Sequence, residues 1–247
     1  MTGRRLAALV LFDLAAILVC AGLVSLGAWQ LHRRDWKLDL IARVEERARA
    51  LPVAAPGPER WTAISAAADE YRRVTVTGEW LPDRPALVQA VTELGGGYWV
   101  LTPLRRDDGT TVLVNRGFVP TERRDPSFWR SPSREVTIIG LLRISETGGA
   151  LLRSNDATSD RWFSRDVAAI AASRGLSSVA PYFVDAERAP GETDLPVGSL
   201  TVLRFSNNHL LYALTWAGLA LMAAAAAVAV NVDLLRRGRA RASLRTE

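Results

Sequence analysis

The sequence predicts an α+β protein in which a hairpin of two transmembrane helices, one near each end of the chain, carries one extracytoplasmic antiparallel β-rich domain with a few short helices. Three observations predict it. Two long apolar runs lie near the termini, basic clusters flank them, and between them short segments alternate apolar and polar at period two, set apart by Gly, Pro and Asp. The expected division is a cytoplasmic tail over 1–5, a first span over 6–31, the domain over 32–209, a second span over 210–232 and a basic cytoplasmic tail over 233–247.

The first run, LAALVLFDLAAILVCAGLVSLGAW from Leu6 to Trp29, holds one charge, Asp13. At about 1.5 Å per residue its roughly 24 residues cross a ~30 Å hydrocarbon core with some tilt. It exceeds the ~7 to 15 residues of a signal-peptide core, and Trp29, Gln30, His32 and Arg33 stand where a small-residue cleavage pattern belongs, so a retained anchor is expected. The second run, LLYALTWAGLALMAAAAAVAVNV from Leu210 to Val232, carries no charge and leads into a basic tail. Asp13 is expected to face the second helix near its cytoplasmic side, either reaching Asn231 or staying neutral there, with a proton or substrate path as the functional alternative.

A net charge of +5 and a pI near 10 invite a nucleic-acid reading, which the placement of the charges removes. Of 31 Lys+Arg, two precede the first span and five (Arg236, Arg237, Arg239, Arg241, Arg245) follow the second, leaving 24 between them. Of 26 acidic residues, Asp13, Asp233 and Glu247 lie outside, leaving 23, so the domain is nearly neutral at +1. Cationic tails at both ends mark both termini as cytoplasmic and the domain as extracytoplasmic. Arg33, Arg34, Lys37, Arg43, Arg47 and Arg49 pull the other way, but long loops translocate largely regardless of charge. With the first span so near residue 1, no organellar presequence is expected, and a bacterial plasma membrane is the expected location.

Trp36, Leu40, Ile41 and Val44 recur at helical spacing and carry the first helix on to about Ala50, where LPVAAPGPE stops it. Trp61 to Glu70 reads as one short helix. From Tyr71 the period becomes two: YRRVTVTG, ALVQAVTE, GYWVLTPLR, TTVLVNRGFV and EVTIIGLLR read as strands, and Asp108-Gly109 in RRDDGTT supplies a hairpin turn. SRDVAAIAASRG reads as an amphipathic helix capped by Ser164 and stopped at Gly175; PYFVDAE and SLTVLRF return to strand. No internal repeat is visible.

The only histidines, His32 and His209, lie at the outer ends of the spans, and the only cysteine, Cys20, lies inside the first. The domain therefore has no Ser/His/Asp or Cys/His nucleophile system, no zinc ligand set and no disulfide, and no glycine-rich phosphate loop is present. No spacing singles out a carboxylate pair. It reads as a recognition or scaffolding body rather than an enzyme. Interest moves to the membrane boundary, where His209, Tyr212 and Trp216 share a face at i, i+3 and i+7 around Ala213, and Trp29, Arg33 and Trp36 do the same on the first helix. An imidazole among aromatics and guanidinium groups suits a haem whose carboxylates point to water. The same residue types also form the ordinary interfacial belt of any span, and spacing alone favours that belt over the haem reading. Ala213 and Ala217 add a small-xxx-small pair for helix packing.

At these residues the chain resembles the Surfeit locus protein 1 family, cytochrome oxidase assembly factors of bacteria and mitochondria. The resemblance runs in order through GAWQLHRRDWKLDLI, YRRVTVTGEW, GYWVLTPL, VLVNRGFVP, VTIIGLLRISE, RWFSRDVAAIA, PYFVDAE and LRFSNNHLLYALTW. It implies assembly of haem-copper oxidases, with haem a received by this chain and placed into the oxidase's catalytic subunit. Haem a synthase is a second implied partner, lipid a third, and nucleic acid none. The family's N-x-H-L-x-Y motif places the iron ligand at His209, with Asn207, Tyr212 and Trp216 beside it; the family pattern calls for no histidine at His32. Arg33 and Arg34 would then attract the propionates, and Trp29 would complete the aromatic border. The Asn115-Arg116-Gly117 motif matches as well, with packing or a turn as a role at least equal to ligand contact. Against the haem reading stand a purely scaffolding subunit and a membrane-tethered enzyme.

Overall fold

The structure, a computed structural model, describes residues 3–130, 133–149, 153–188, 194–200 and 207–243. In chain order its elements are α1 (Gly3–Arg49), β1 (Val53–Ala54), α2 (Ala66–Asp69), β2 (Arg73–Trp80), β3 (Ala86–Thr92), β4 (Gly95–Arg105), β5 (Thr111–Pro120), β6 (Glu135–Ile144), α3 (Val167–Ser173), β7 (Val179–Ala186) and α4 (His209–Ser243). Short 3₁₀ segments fill Pro58–Ala63, Thr121–Arg123 and Pro126–Phe128. Two compact units result: α1 to Ala42 with α4, and the body from Arg43 to Leu203.

Both long helices are long and apolar enough to cross a membrane. Their covered positions follow a 4-3 alternation, Leu9, Asp13, Ala16, Cys20, Leu23, Gly27, Gln30 and Arg34 on α1 and His209, Ala213, Trp216, Ala220, Ala223 and Ala227 on α4, with Asn231 one further turn along. A period of 3.5 keeps one stripe facing the partner helix, which is the seam of a left-handed pair. The pair is antiparallel. Asn231 Nδ2 donates to Asp13 Oδ1 at 2.7 Å near one end, and His209 meets Gln30 near the other. At Gly27 the backbones approach closely enough that a Cβ there would lie 3.6 Å from the Ala213 carbonyl oxygen. The large apolar side chains of the spans off the seam are open, Leu18 and Leu221 both 72% exposed, as a lipid-facing surface is. The small-residue contact uses Ala213 and Ala220; Ala217 is exposed and takes no part.

In the body, five strands close a ring. β2 pairs with β6, β6 with β7, β7 with β5 and β5 with β4, and β4 returns to β2 through Glu79–Arg105 and Trp80–Leu104. β3 extends the sheet beyond β4, and β1 lies beside β2. Gly78 permits the closure, since a Cβ there would fall 2.2 Å from the Arg105 carbonyl oxygen. Val74, Val76, Trp80, Leu104, Val114, Leu142, Tyr182 and Val184 fill the ring, one cluster drawn from all five strands. On the outside, Val88, Leu101, Leu113 and Phe183 pack under α3 with Trp162, Val167 and Ile170. Thus Val112, Leu113 and Val114 are all fully buried, and β5 reads as an unbroken apolar run because both of its faces are covered.

Three local expectations change. The sheet is mixed, since β1–β2 and β5–β7 are parallel. The single helix expected over Trp61–Glu70 splits into a 3₁₀ turn and α2, because Ser65 leaves the helical path to accept from Ala68 N and caps the second piece. The cap of α3 is Asp166, which accepts from Ala169 N; Ser164 instead accepts from Gly149 N and Asn155 Nδ2. Gly175, at φ +60°, ends that helix as expected. Most of the expected SLTVLRF strand lies outside the described residues; ahead of it, Val197 pairs with Phe118 in an isolated bridge.

Candidate functional site

The helix pair assembles the most distinctive chemistry of the chain. His209 is the first residue of α4, so its side chain stands at the end of a span rather than inside it. Its Nδ1 lies 2.7 Å from Gln30 Oε1 across the seam. Trp216 follows on the same stripe, and its Cβ would be 3.7 Å from a Cβ at Gly27, so the floor beside the imidazole is made of small groups. Arg34 continues the α1 stripe one turn beyond Gln30.

The other expected site residues lie to the side of this stripe. Tyr212 is 54% exposed and Trp29 56% exposed, both open to the surroundings of the pair. The Arg33 guanidinium stacks 4.0 Å above the Trp36 ring, and Arg34 lies 3.6 Å from Asp35. His32 is exposed. Asn207 Oδ1, two residues before His209, is buried and has no hydrogen-bond partner among the described residues. The structure therefore brings His209, Trp216, Gln30 and Arg34 onto one seam and leaves Tyr212, Trp29 and Arg33 on its flanks. Gln30 was not singled out from the sequence; its signal was present, a lone amide at the end of an apolar run and in helical register with Gly27 and Arg34.

Asn115, Arg116 and Gly117 serve the body. Asn115 Nδ2 donates to Asp185 at 2.8 Å while its Oδ1 accepts from Gly117 N. Gly117 stands at φ +134°, where a Cβ would lie 2.4 Å from the Val197 carbonyl group, so the Phe118–Val197 pairing depends on glycine there. The Arg116 guanidinium lies 5.5 Å over the Trp80 ring. Asp185, 5% exposed, also accepts from Arg143 at 3.0 Å and Arg165 at 3.2 Å. Arg165 grips Glu146 with two nitrogens, and Arg143 reaches Glu70. Burial pushes the Glu146 carboxyl up, but the hydrogen bonds and charge of Arg165 outweigh it and hold the group below the usual carboxylate range. A network so fully paired is a fastening of β5, β6 and β7 rather than a reactive centre. The body's open groove, near 400 Å³, is lined by Ala54, Ala55, Thr75 to Thr77 and Arg106 to Asp108, which include no nucleophile with a base. Among the described residues no three His, Cys, Asp or Glu side chains form a metal cluster.

A family model described as the SURF1 family matches residues 17–221. Surfeit locus protein 1 of Homo sapiens is 35% identical over 215 residues, covering 79% of this chain and 69% of that protein. The Mus musculus protein of the same name is 32% identical over 225 residues, covering 82% and 70%. A SURF1-like protein of Monosiga brevicollis is 34% identical over 238 residues, covering 90% and 86%. With a match running from inside α1 to inside α4 and taking in the whole body between them, the chain belongs to the SURF1 family.

Proposed function

We propose that this chain is a non-enzymatic assembly factor for a haem-copper terminal oxidase, receiving haem a at the membrane boundary and passing it to the oxidase's catalytic subunit. The observation that carries the reading is the imidazole of His209, placed at the end of a span with one ring nitrogen engaged by Gln30. A metal-ligating histidine is commonly oriented in this way through its second nitrogen. The residues fit the group chemically: one imidazole, a floor of Gly27 and Ala213, the flat apolar faces of Trp216 and Tyr212, and Arg33 and Arg34 as cations for carboxylates. Trp29 lines the same border. Haem a would be the cargo and would bring an iron for His209 to hold; the protein's part would be to keep it at a depth between lipid and water and to release it.

The extracytoplasmic placement of the body and a bacterial plasma membrane are parts of the same proposal, supported by the five arginines that follow the second span. Family membership supports the oxidase as client, and haem a synthase is the natural source of the cargo. The paired charge network of Asp185, Arg143, Arg165 and Glu146 in the body supports a role in recognition. The test is to purify the protein from hosts with and without haem a synthesis and to record optical spectra and co-purifying proteins. Haem a absorbance in the first host, lost with His209→Ala, is expected. Equal absorbance in the variant removes this site, and co-purification of an oxidase with no haem in either host favours a scaffolding subunit.

A further inference from the structure

An imidazole has two nitrogens, and the side of His209 facing α1 engages one of them. Nδ1 lies 2.7 Å from the amide oxygen of Gln30. An amide oxygen only accepts, so the neutral ring that satisfies this contact is the one with its proton on Nδ1 and its lone pair on Nε2. We infer that Gln30 is a positioning residue that holds His209 in the Nδ1–H tautomer, so that Nε2 is the nitrogen presented to iron; this rests on the haem reading above.

Three features of the seam support the assignment. Gln30 lies on the partly covered stripe of α1 between Gly27 and Arg34, in register with the start of α4. The two residues are 179 positions apart, so the ligand is oriented only when the helices have paired, and readiness to bind cargo is coupled to closure of the hairpin. At the boundary of a bilayer, bulk water competes less for Nδ1 than it would on a soluble surface, which strengthens the orienting bond. The partner's neutrality matters for release. A carboxylate in this place would raise the basicity of the imidazole and tighten iron ligation, whereas an amide fixes the ring's direction with a smaller electronic push. Weak, well-aimed ligation suits a cargo that has to leave.

The test uses the full chain in lipid nanodiscs, ¹⁵N-labelled at histidine and free of haem, in a His32→Gln background so that one imidazole remains. The nitrogen shifts are expected to show a protonated Nδ1 and an unprotonated Nε2, with Gln30→Leu moving the proton to Nε2 and Gln30→Glu retaining it on Nδ1. Titration with ferric protoporphyrin, followed in the Soret band, is expected to weaken about 10- to 100-fold in Gln30→Leu. In Gln30→Glu, binding is expected to be held or tightened. A proton on Nε2 in the unsubstituted Gln30 protein overturns the inference. So does a tautomer indifferent to Gln30→Leu, or a loss of affinity without a change of tautomer. If the tautomer responds as expected but His209→Ala binds the porphyrin as well as the parent, Gln30 still positions the ring and the haem reading alone fails.

Discussion

Replacing Asp185 with alanine is expected to loosen the body without touching the helix pair. The carboxylate is 5% exposed and receives Asn115 Nδ2 at 2.8 Å, Arg143 Nη1 at 3.0 Å and Arg165 Nη1 at 3.2 Å. Its loss strands an amide donor and takes from each guanidinium its most buried acceptor; breaking a buried pair in this way costs about 3–5 kcal/mol. Glu146 and Glu70 remain on the two arginines, which places the expected cost near the lower end, about 3–4 kcal/mol. For a body of this size that is a fall in Tm of roughly 6–16 °C. Near-UV circular dichroism of the tryptophans during a thermal scan in detergent measures it. Asn115→Ala, alone and combined with Asp185→Ala, completes a cycle in which the two should couple by about 1 kcal/mol. A Tm shift below about 2 °C in Asp185→Ala refutes the fastening role. Unchanged stability in Asn115→Ala together with loss of haem absorbance would make Asn115 a ligand contact instead.

Gly117→Ala should destabilise the body by at least about 1–3 kcal/mol, since its φ of +134° and the nearby Val197 carbonyl both exclude a Cβ; denaturant midpoints measure it. Glu146 is held below the usual carboxylate range, so its contribution is complete above the unfolded value of about 4.3 and is lost as pH falls through its lower folded value; Glu146→Gln should flatten the acid limb of a stability profile. Burial pushes Tyr182 up to about 12 while its hydroxyl donates to the Pro56 carbonyl oxygen at 2.7 Å. The stability tied to its proton is intact below about 10 and lost as pH rises from there towards 12, and Tyr182→Phe should flatten that alkaline limb. In an Ala220→Cys background, oxidation should join Cys20 to α4, since Cys20 Sγ lies 3.7 Å from the Ala220 carbonyl oxygen. Asp13→Leu, which removes the tie to Asn231 worth about 0.6–2 kcal/mol, should lower that yield.

The spans, the run of α1 to Arg49, most strands and the Asp108-Gly109 hairpin were legible from residue order, because periodicity and turn chemistry are local. A period reports which residues share a face; it does not report which face meets which. Hence the parallel pairing of β5 with β7, the ring closed at Gly78 and Trp80, and the roles of Asn115 and Gly117 emerged only from packing between strands distant in sequence. The helix caps divide in the same way: Gly175 is decided by its own φ, whereas Ser164 was drawn from the expected cap by Asn155. His209 stood out by rarity and by its motif. Its partner Gln30 did not, since an amide at the end of an apolar run acquires meaning only when a helix 179 residues away brings an imidazole to 2.7 Å.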